Sequence, residues 1–363
     1  MQLLLLILLV AIGLPLLTSR KKKPRKRSCL ENVTPVDVDF DWKTQEPLKV
    51  RPFVNKKSFN PSMNLTDFTA NDWILIEKTY LQNVQLRREI TIKHSDHTVF
   101  LNPDKRFVAA FHEFYSLVIH YLTHRYPQYF VPDKHNNVVK NLITEDQIPL
   151  DPNIITKDSV LEQDHNRELL LSLARTIEED FILLHKDAPD EEYIMRCNVS
   201  GFPAGFDPKN NFDKPISFIH TPVPQYQKRL KVSMSKYFDR LTTDEAHVRH
   251  NWSIQTNASK FTLHSHHGRE GETPPPPLKM EDIDFEKGCF LRCERQCFTR
   301  LPVLGANLMT IRTYVTPLSE IKHLEDDHVT RELIRGIDSL PEDLAFYKKR
   351  GAWGEAVKEY LRS

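Results

Sequence analysis

Two stretches of this sequence carry most of the chemistry it could do. The first is Ile219-His220-Thr221-Pro222-Val223-Pro224, which reads as a buried strand ending in a histidine and stopped by two prolines. An imidazole on rigid backbone suits an axial ligand to a metal or a haem iron, because the ring must be held in one orientation. The plainer reading is a core histidine satisfied by a backbone carbonyl. The second stretch is Arg292-Cys293-Glu294-Arg295-Gln296, followed by Arg300-Leu301-Pro302. As a strand it puts Arg292, Glu294 and Gln296 on one face and Cys293, Arg295 and Cys297 on the other. Charges on both faces of a central strand are costly unless paired or bound to a ligand. Arginine forks match carboxylates, propionates among them. The competing interpretation is an edge strand with solvated charges.

Two further segments belong with these. Thr310-Ile311-Arg312-Thr313-Tyr314 places Arg312 on a partner strand, where it can frame one pocket with the arginines above. In Val248-Arg249-His250-Asn251-Trp252, Arg249 and Asn251 share a face and Trp252 points the other way, into the core. The cysteines at 289, 293 and 297 and the histidines at 264, 266 and 267 cluster without zinc spacing. Dinucleotide and phosphate-loop fingerprints, the nucleophile elbow and the H-E-x-x-H zinc motif are missing, which argues against a nucleotide cofactor bound within the chain. Electrons for any redox step would come from elsewhere.

The elements that must position these residues are of mixed type. A helix is expected from Asn71-Asp72 to about Leu86, a second over Lys105 to Arg125, and a third over Glu162 to Leu184. The texture then changes. Tyr193 to Val199 and Pro215 to His220 read as strands around the Gly201 to Asp213 loop, and Pro224 to Leu241 reads as helix. Further strands are expected at Val248 to Thr256, Phe261 to His264, Cys289 to Leu301 and Leu308 to Val315. Two helices, Ser319 to Leu340 and Glu342 to Leu361, close the chain. Helices followed by an antiparallel sheet with helices packed on it make an α+β fold.

The 363 residues hold 50 Lys+Arg against 49 Asp+Glu, so no global field points to nucleic acid. Leu3 to Leu17 is almost purely apolar and the uncharged stretch reaches Ser19, close to the roughly 17-residue lower limit for a membrane span. The cations Arg20 to Arg27 follow this run instead of preceding it, so an anchor is expected with the body on the cytosolic side. Glycosylation sequons at Asn32, Asn64, Asn198, Asn251 and Asn257 pull toward a lumenal body. The expected organisation is a transmembrane anchor over 1–19, a basic, proline-containing linker over 20–60, and one domain over 61–363. A single-pass protein of the endoplasmic reticulum, facing the cytosol and held in lipid by its N-terminal helix, is the expected setting.

Taken together, these segments resemble the haem-dependent oxidative N-demethylase alpha-subunit-like family. The resemblance rests on Ile219-His220 with Pro222-Val223-Pro224, Arg249 with Asn251-Trp252, Arg292 with Glu294-Arg295-Gln296, Arg300-Leu301-Pro302, and Thr310 to Tyr314. It extends through Trp73, Tyr80, Arg87-Arg88, Pro317-Leu318 and Tyr347-Lys348. It implies a PAS-like antiparallel sheet holding haem b, oxidative removal of a methyl group from a small amine with release of formaldehyde, and electrons from a separate reductase. On that basis His220 is the expected iron ligand. Arg249, Arg292, Arg295 and Arg312 are expected to bind propionates or frame the pocket. Glu294 is expected to meet a substrate ammonium or move protons, with a simple salt bridge to an arginine as its alternative. A membrane-anchored haem or ligand sensor, or a scaffold without turnover, is the alternative for the whole protein.

Overall fold

The computed structural model describes residues 27–56, 62–155, 162–264 and 266–363, and in it the long alternating runs fold as strands. They are β1 (Thr66–Asp67), β2 (Val99–Leu101), β3 (Phe130–Asp133), β4 (Val138–Asn141), β5 (Gln147–Pro149), β6 (Asp180–His185), β7 (Ile194–Val199), β8 (Ala246–Gln255), β9 (Phe290–Arg300) and β10 (Asn307–Pro317). Seven of them form one antiparallel sheet in the order β1-β8-β9-β10-β6-β7-β2, and β3-β4-β5 make a small separate sheet. Mixed helix and antiparallel sheet is thus the observed class. Arg295 lies opposite Arg312 across β9 and β10, and Asn251 lies opposite Glu294 across β8 and β9.

One face of the large sheet carries the main core. The helix Lys105–Arg125 runs as expected, capped by Asp104, whose carboxylate accepts from Arg106 N at 2.8 Å. Its buried stripe includes Phe107, Phe111, Phe114, Val118 and Tyr121. Phe111, Phe114, Val118 and Tyr121 pack with Trp73 against Phe181, Leu183, Val248, Cys297 and Leu308 from the sheet. Trp73 Nε1 donates to Thr310 Oγ1 at 3.1 Å, fixing the indole over β10. The C-terminal helices enclose a second apolar cluster around Trp252, Cys293, Tyr314, Leu333 and Trp353.

Several elements differ from the sequence reading. The expected first helix begins later, at Tyr80–Lys93, after a 3-10 turn at Ala70–Asp72. The third is split, with Glu162–Ala174 helical and Phe181-Ile182-Leu183-Leu184 in the central strand β6. The expected strand over Pro215 to His220 is a single helical turn, Ile216–Ile219. Ile216 and Ile219, three apart, both face the same cavity, which a helical turn allows and a strand does not. Residues Phe261 to His264 form no named strand, and Thr262 makes only an isolated bridge to Ala204. Each expected closing helix is broken in two, at Leu318–Leu324 and Asp327–Asp338, then at Glu342–Tyr347 and Arg350–Arg362.

The N-terminal segment is also not a free linker over its described part. Leu30 is fully buried, and Val50 and Phe53 join the C-terminal apolar cluster. Ser28 and Glu31 form a reciprocal capping box, and Cys29 N bonds Thr243 O at 2.9 Å. The expected anchor, 1–19, lies outside the described residues. Among the described residues no helix is long and apolar enough to cross a membrane.

Candidate functional site

The second face of the large sheet is covered more thinly, and a cavity of about 290 Å³ lies under that cover. Strand parity aims Arg249 and Asn251 from β8, Glu294, Gln296 and Phe298 from β9, and Met309 and Ile311 from β10 into it. Asp180, Ile182 and Leu184 of β6 add to this floor. On β7 the register shifts, so that Leu183 pairs with Cys197 but Leu184 with Met195. This extra residue brings Met195 and Asn198, three apart, onto the cavity side together. The roof is the turn Ile216–Ile219, His220 to Gln225, Met234 and Phe238 of the helix Lys231–Arg240, and the 341–348 segment.

His220 caps the C-terminus of the short helix and lines the cavity. Its Nδ1 sits 2.9 Å from Ile216 O. A carbonyl only accepts, so Nδ1 carries the proton and Nε2 keeps its lone pair. The ring stacks on Tyr226 with centroids 4.7 Å apart. Burial pushes the imidazole down to about 4, with the charge of Arg249 adding to the effect, so it is neutral at ordinary pH. A neutral imidazole oriented through Nδ1 and open at Nε2 is the form that ligates a metal. His220 thus lies at the end of a helical turn instead of a strand, but its backbone is no less fixed.

The four arginines separate. Arg249 lines the cavity, makes no salt bridge among the described residues, and has an Nε without a hydrogen-bond partner. Burial lowers its pKa, opposed by Glu294. Arg292 is 1% exposed and donates to Gln255 Oε1 and Lys260 O, both at 3.2 Å, and to Phe202 O. It fastens the loop carrying Phe202, a cavity wall residue, and so frames the site without entering it. Arg295 and Arg312 lie on the opposite face. Arg295 donates to Trp73 O at 3.1 Å and to Asp72 O, while Arg312 is enclosed by Glu77, Glu178, Glu179 and Leu75 O. Neither lines the cavity, because both belong to the strand parity that points under the helices.

Glu294 has no salt bridge among the described residues, so the expected alternative of an arginine ion pair is not what the structure contains. It accepts instead from Gln296 Nε2 at 2.9 Å and, weakly, from Asn251 Nδ2 at 3.4 Å. The same Asn251 accepts from Lys348 Nζ at 3.3 Å through its oxygen. Lys348 and Gln225 are wall residues without a local sequence signal, while His267 entered only as part of a histidine cluster and Asn198 only as a sequon. Tyr347-Lys348 was visible only as part of the resemblance. Gln225 holds φ +62° and donates to Asp343 Oδ2 at 2.7 Å, tying two sides of the roof.

Buried polar atoms are normally satisfied, and exceptions ask for a cause. Asn198 Nδ2, Gln225 Oε1 and Arg249 Nε lack partners among the described residues, and all three residues line this cavity. The lining suits an apolar group bearing negative charge. Met63, Ile182, Met195, Val223, Met234 and Met309 offer apolar walls, Arg249 an unpaired cation, and His220 an open nitrogen. Fold and cavity together define an α+β domain with a cavity on one face of an antiparallel sheet. A family model described as haem-dependent oxidative N-demethylase, alpha subunit-like, matches residues 64–358. The chain belongs to that family, whose name ties it to haem and to oxidative N-demethylation.

Proposed function

We propose that this chain is a haem b-binding oxidoreductase that removes a methyl group from a small amine, taking electrons from a separate reductase. The observation that carries the reading is the neutral His220, oriented through Nδ1 and open at Nε2, on the wall of a cavity where Asn198 Nδ2, Gln225 Oε1 and Arg249 Nε have no partner among the described residues. His220 would hold the iron. Arg249 would meet a propionate, its charge being uncompensated by any nearby salt bridge. Bound there, haem supplies activation of oxygen for the oxidative step. The sheet would serve as a PAS-like platform, with the cavity side given over to the ligand.

The protein's own residues would do the rest. Glu294, held by two amide donors instead of a cation, would bind a substrate ammonium and accept its proton. Asp180 anchors the loop over the cavity by accepting from Gly201 N at 2.7 Å and Phe202 N at 3.2 Å. Met234, Phe238 and Phe298 would exclude water from the reacting methyl group. A carboxyl group without a salt bridge among the described residues, on the wall of the cavity that His220 also lines, favours turnover over the sensing alternative. The N-terminal apolar run would tether the domain to the endoplasmic reticulum membrane on its cytosolic side, near a membrane-bound reductase. Resistance of the native protein to glycosidase, with retention in the membrane pellet after alkaline wash, checks that placement.

The test is an absorption spectrum of the full chain after haem reconstitution, followed by a formaldehyde assay with reductant, oxygen and small methylamines. A Soret band with formaldehyde release supports the enzyme. A Soret band without release under any donor supports a sensor, and no Soret band removes both haem readings.

A further inference from the structure

Lys348 is placed as few lysines are. It follows the helix Glu342–Tyr347, its own N–H bonds Leu344 O at 2.8 Å, and its carbonyl accepts from Trp353 Nε1 at 3.0 Å. The next residue, Lys349, turns the chain at φ +55°. The backbone is therefore locked, and the side chain runs inward with only 5% of the residue exposed. Its ammonium nitrogen donates to Trp252 O and to Asn251 Oδ1, and among the described residues it meets no carboxylate in a salt bridge. A buried lysine without a carboxylate partner is uncommon, because desolvation of the charge is not repaid.

The residue also lines two spaces. One is the main cavity, where it is the lysine of the wall. The other, about 350 Å³, lies between the end of β8, Pro275-Pro276 and the last helix. An amine that lines two cavities, oriented by two oxygen acceptors and facing the site where an N-methyl group would be oxidised, is placed to react with what leaves that site.

We propose that Lys348 is an amine nucleophile that captures a small aldehyde inside the cavity, formaldehyde in the first instance. This rests on the demethylation reading, since oxidation of an N-methyl group releases its carbon as formaldehyde. The Nζ lone pair adds to the carbonyl carbon as the C–O π bond breaks, and a proton moves from nitrogen to oxygen to give a hydroxymethylamine. Loss of water then leaves the methylene imine, and hydrolysis returns both components. The addition is reversible and needs no oxidant or reductant. It would hold the aldehyde away from the cysteines and other lysines of the chain until a carrier or water takes it.

The surroundings agree with an amine that loses its proton readily. Burial lowers Lys348 to about 8, opposed by Glu294 and assisted by Arg249, with Cys293 opposing more weakly. His266 and His267 face it from the neighbouring loop, and both are themselves driven neutral by burial, so they add no cation at ordinary pH. Roughly a tenth of the Lys348 side chain is then free amine at neutral pH, against less than about a thousandth for an ordinary lysine.

The experiment treats the full chain with formaldehyde and cyanoborohydride, which fixes the imine as a methylated amine, and maps the modified lysines by peptide mass spectrometry. Lys348 is expected to acquire one or two methyl groups on the order of tenfold faster than exposed Lys134 and Lys279 near neutral pH. Its rate should level off above about pH 8, while the exposed lysines keep accelerating. Methylation of the exposed lysines with Lys348 unmodified, or no faster than they are, overturns the proposal. The measurement is made with and without reconstituted haem, beside the absorption spectrum. Labelled Lys348 in a protein with no Soret band keeps the amine site and removes only the haem reading.

Discussion

Replacing Arg312 by Met should unfold this domain more readily in alkali than in weak acid. Arg312 is 2% exposed and holds Glu77, Glu178 and Glu179, which are also buried. Removing one partner from a buried ion network leaves the others uncompensated, which costs about 3–5 kcal/mol. The pH dependence follows from Glu178. Burial raises its carboxyl to about 7 from an ordinary 4.5, against the pull of Arg312. Between those values the folded state binds the proton more tightly than the unfolded chain does. Stability contributed by the protonated group is therefore present below 4.5 and is lost as pH rises through 7. Without Arg312 the Glu178 carboxyl rises further and the loss continues above 7. Urea unfolding followed by tryptophan fluorescence should show a deficit of about 3–5 kcal/mol near pH 8 and a clearly smaller one near pH 5. Adding Glu178→Gln to the Met variant should return about 1–3 kcal/mol at the higher pH, because it removes a stranded charge. Equal stability of R312M and the native protein near pH 8, or a greater loss near pH 5, refutes this account of the network.

Other substitutions test the site and its supports. His220→Ala should abolish the histidine-ligated Soret features of the reconstituted protein, with free imidazole restoring them; an unchanged spectrum removes His220 as the ligand. Leu30→Ala should cost about 2–4 kcal/mol, since the side chain is fully buried. A midpoint of unfolding that does not move would mean that residues 27–56 are a linker after all. Gly201→Ala would place a methyl group 2.8 Å from Arg87 Nη1, beside the buried Arg87–Asp180 pair. It should cost about 1–3 kcal/mol in thermal or urea unfolding and loosen the loop over the cavity. A variant as stable as the native chain would show that the loop can shift without penalty.

What was legible in the sequence was whatever a local period could encode. The helix Lys105–Arg125 has a continuous apolar stripe and an Asp at its N-cap, and β8, β9 and β10 alternate clearly enough to place Arg249, Glu294 and Arg312. β6 was not legible. Glu178-Glu179-Asp180 followed by four apolar residues extends the pattern of the preceding helix. Those carboxylates are buried only because Arg312 and Arg87 arrive from distant segments. The turn at Ile216–Ile219 was missed for a similar reason: its apolar residues serve a curved cavity roof, not a flat sheet. Lys348 carries no local signal of its role, since its partners Asn251 and Trp252 lie 97 and 96 positions away.

The same residue type takes opposite roles on the two faces of one sheet, and strand parity decides which. Arg295 and Arg312, opposite each other in register, point beneath the helices, where backbone carbonyls and three glutamates enclose them. Arg249 pairs in register with Gln296 and points the other way, into space where no acceptor satisfies its Nε. A slip of one residue in β9 would put Arg295 in the cavity and Glu294 under the helices, leaving a buried carboxylate among apolar rings. The main core therefore enforces the register, and the register in turn holds Arg249, Asn251 and Glu294 on the open face. The bulge between β6 and β7 corrects that parity once, which brings Asn198 round to join Met195. The sheet-borne half of the site is thus positioned by packing on the far side of the sheet, while His220, Gln225 and Lys348 are held by the cover. Polar atoms there can stay unsatisfied at a cost the closed face is stable enough to carry, and they are left available for a ligand to satisfy.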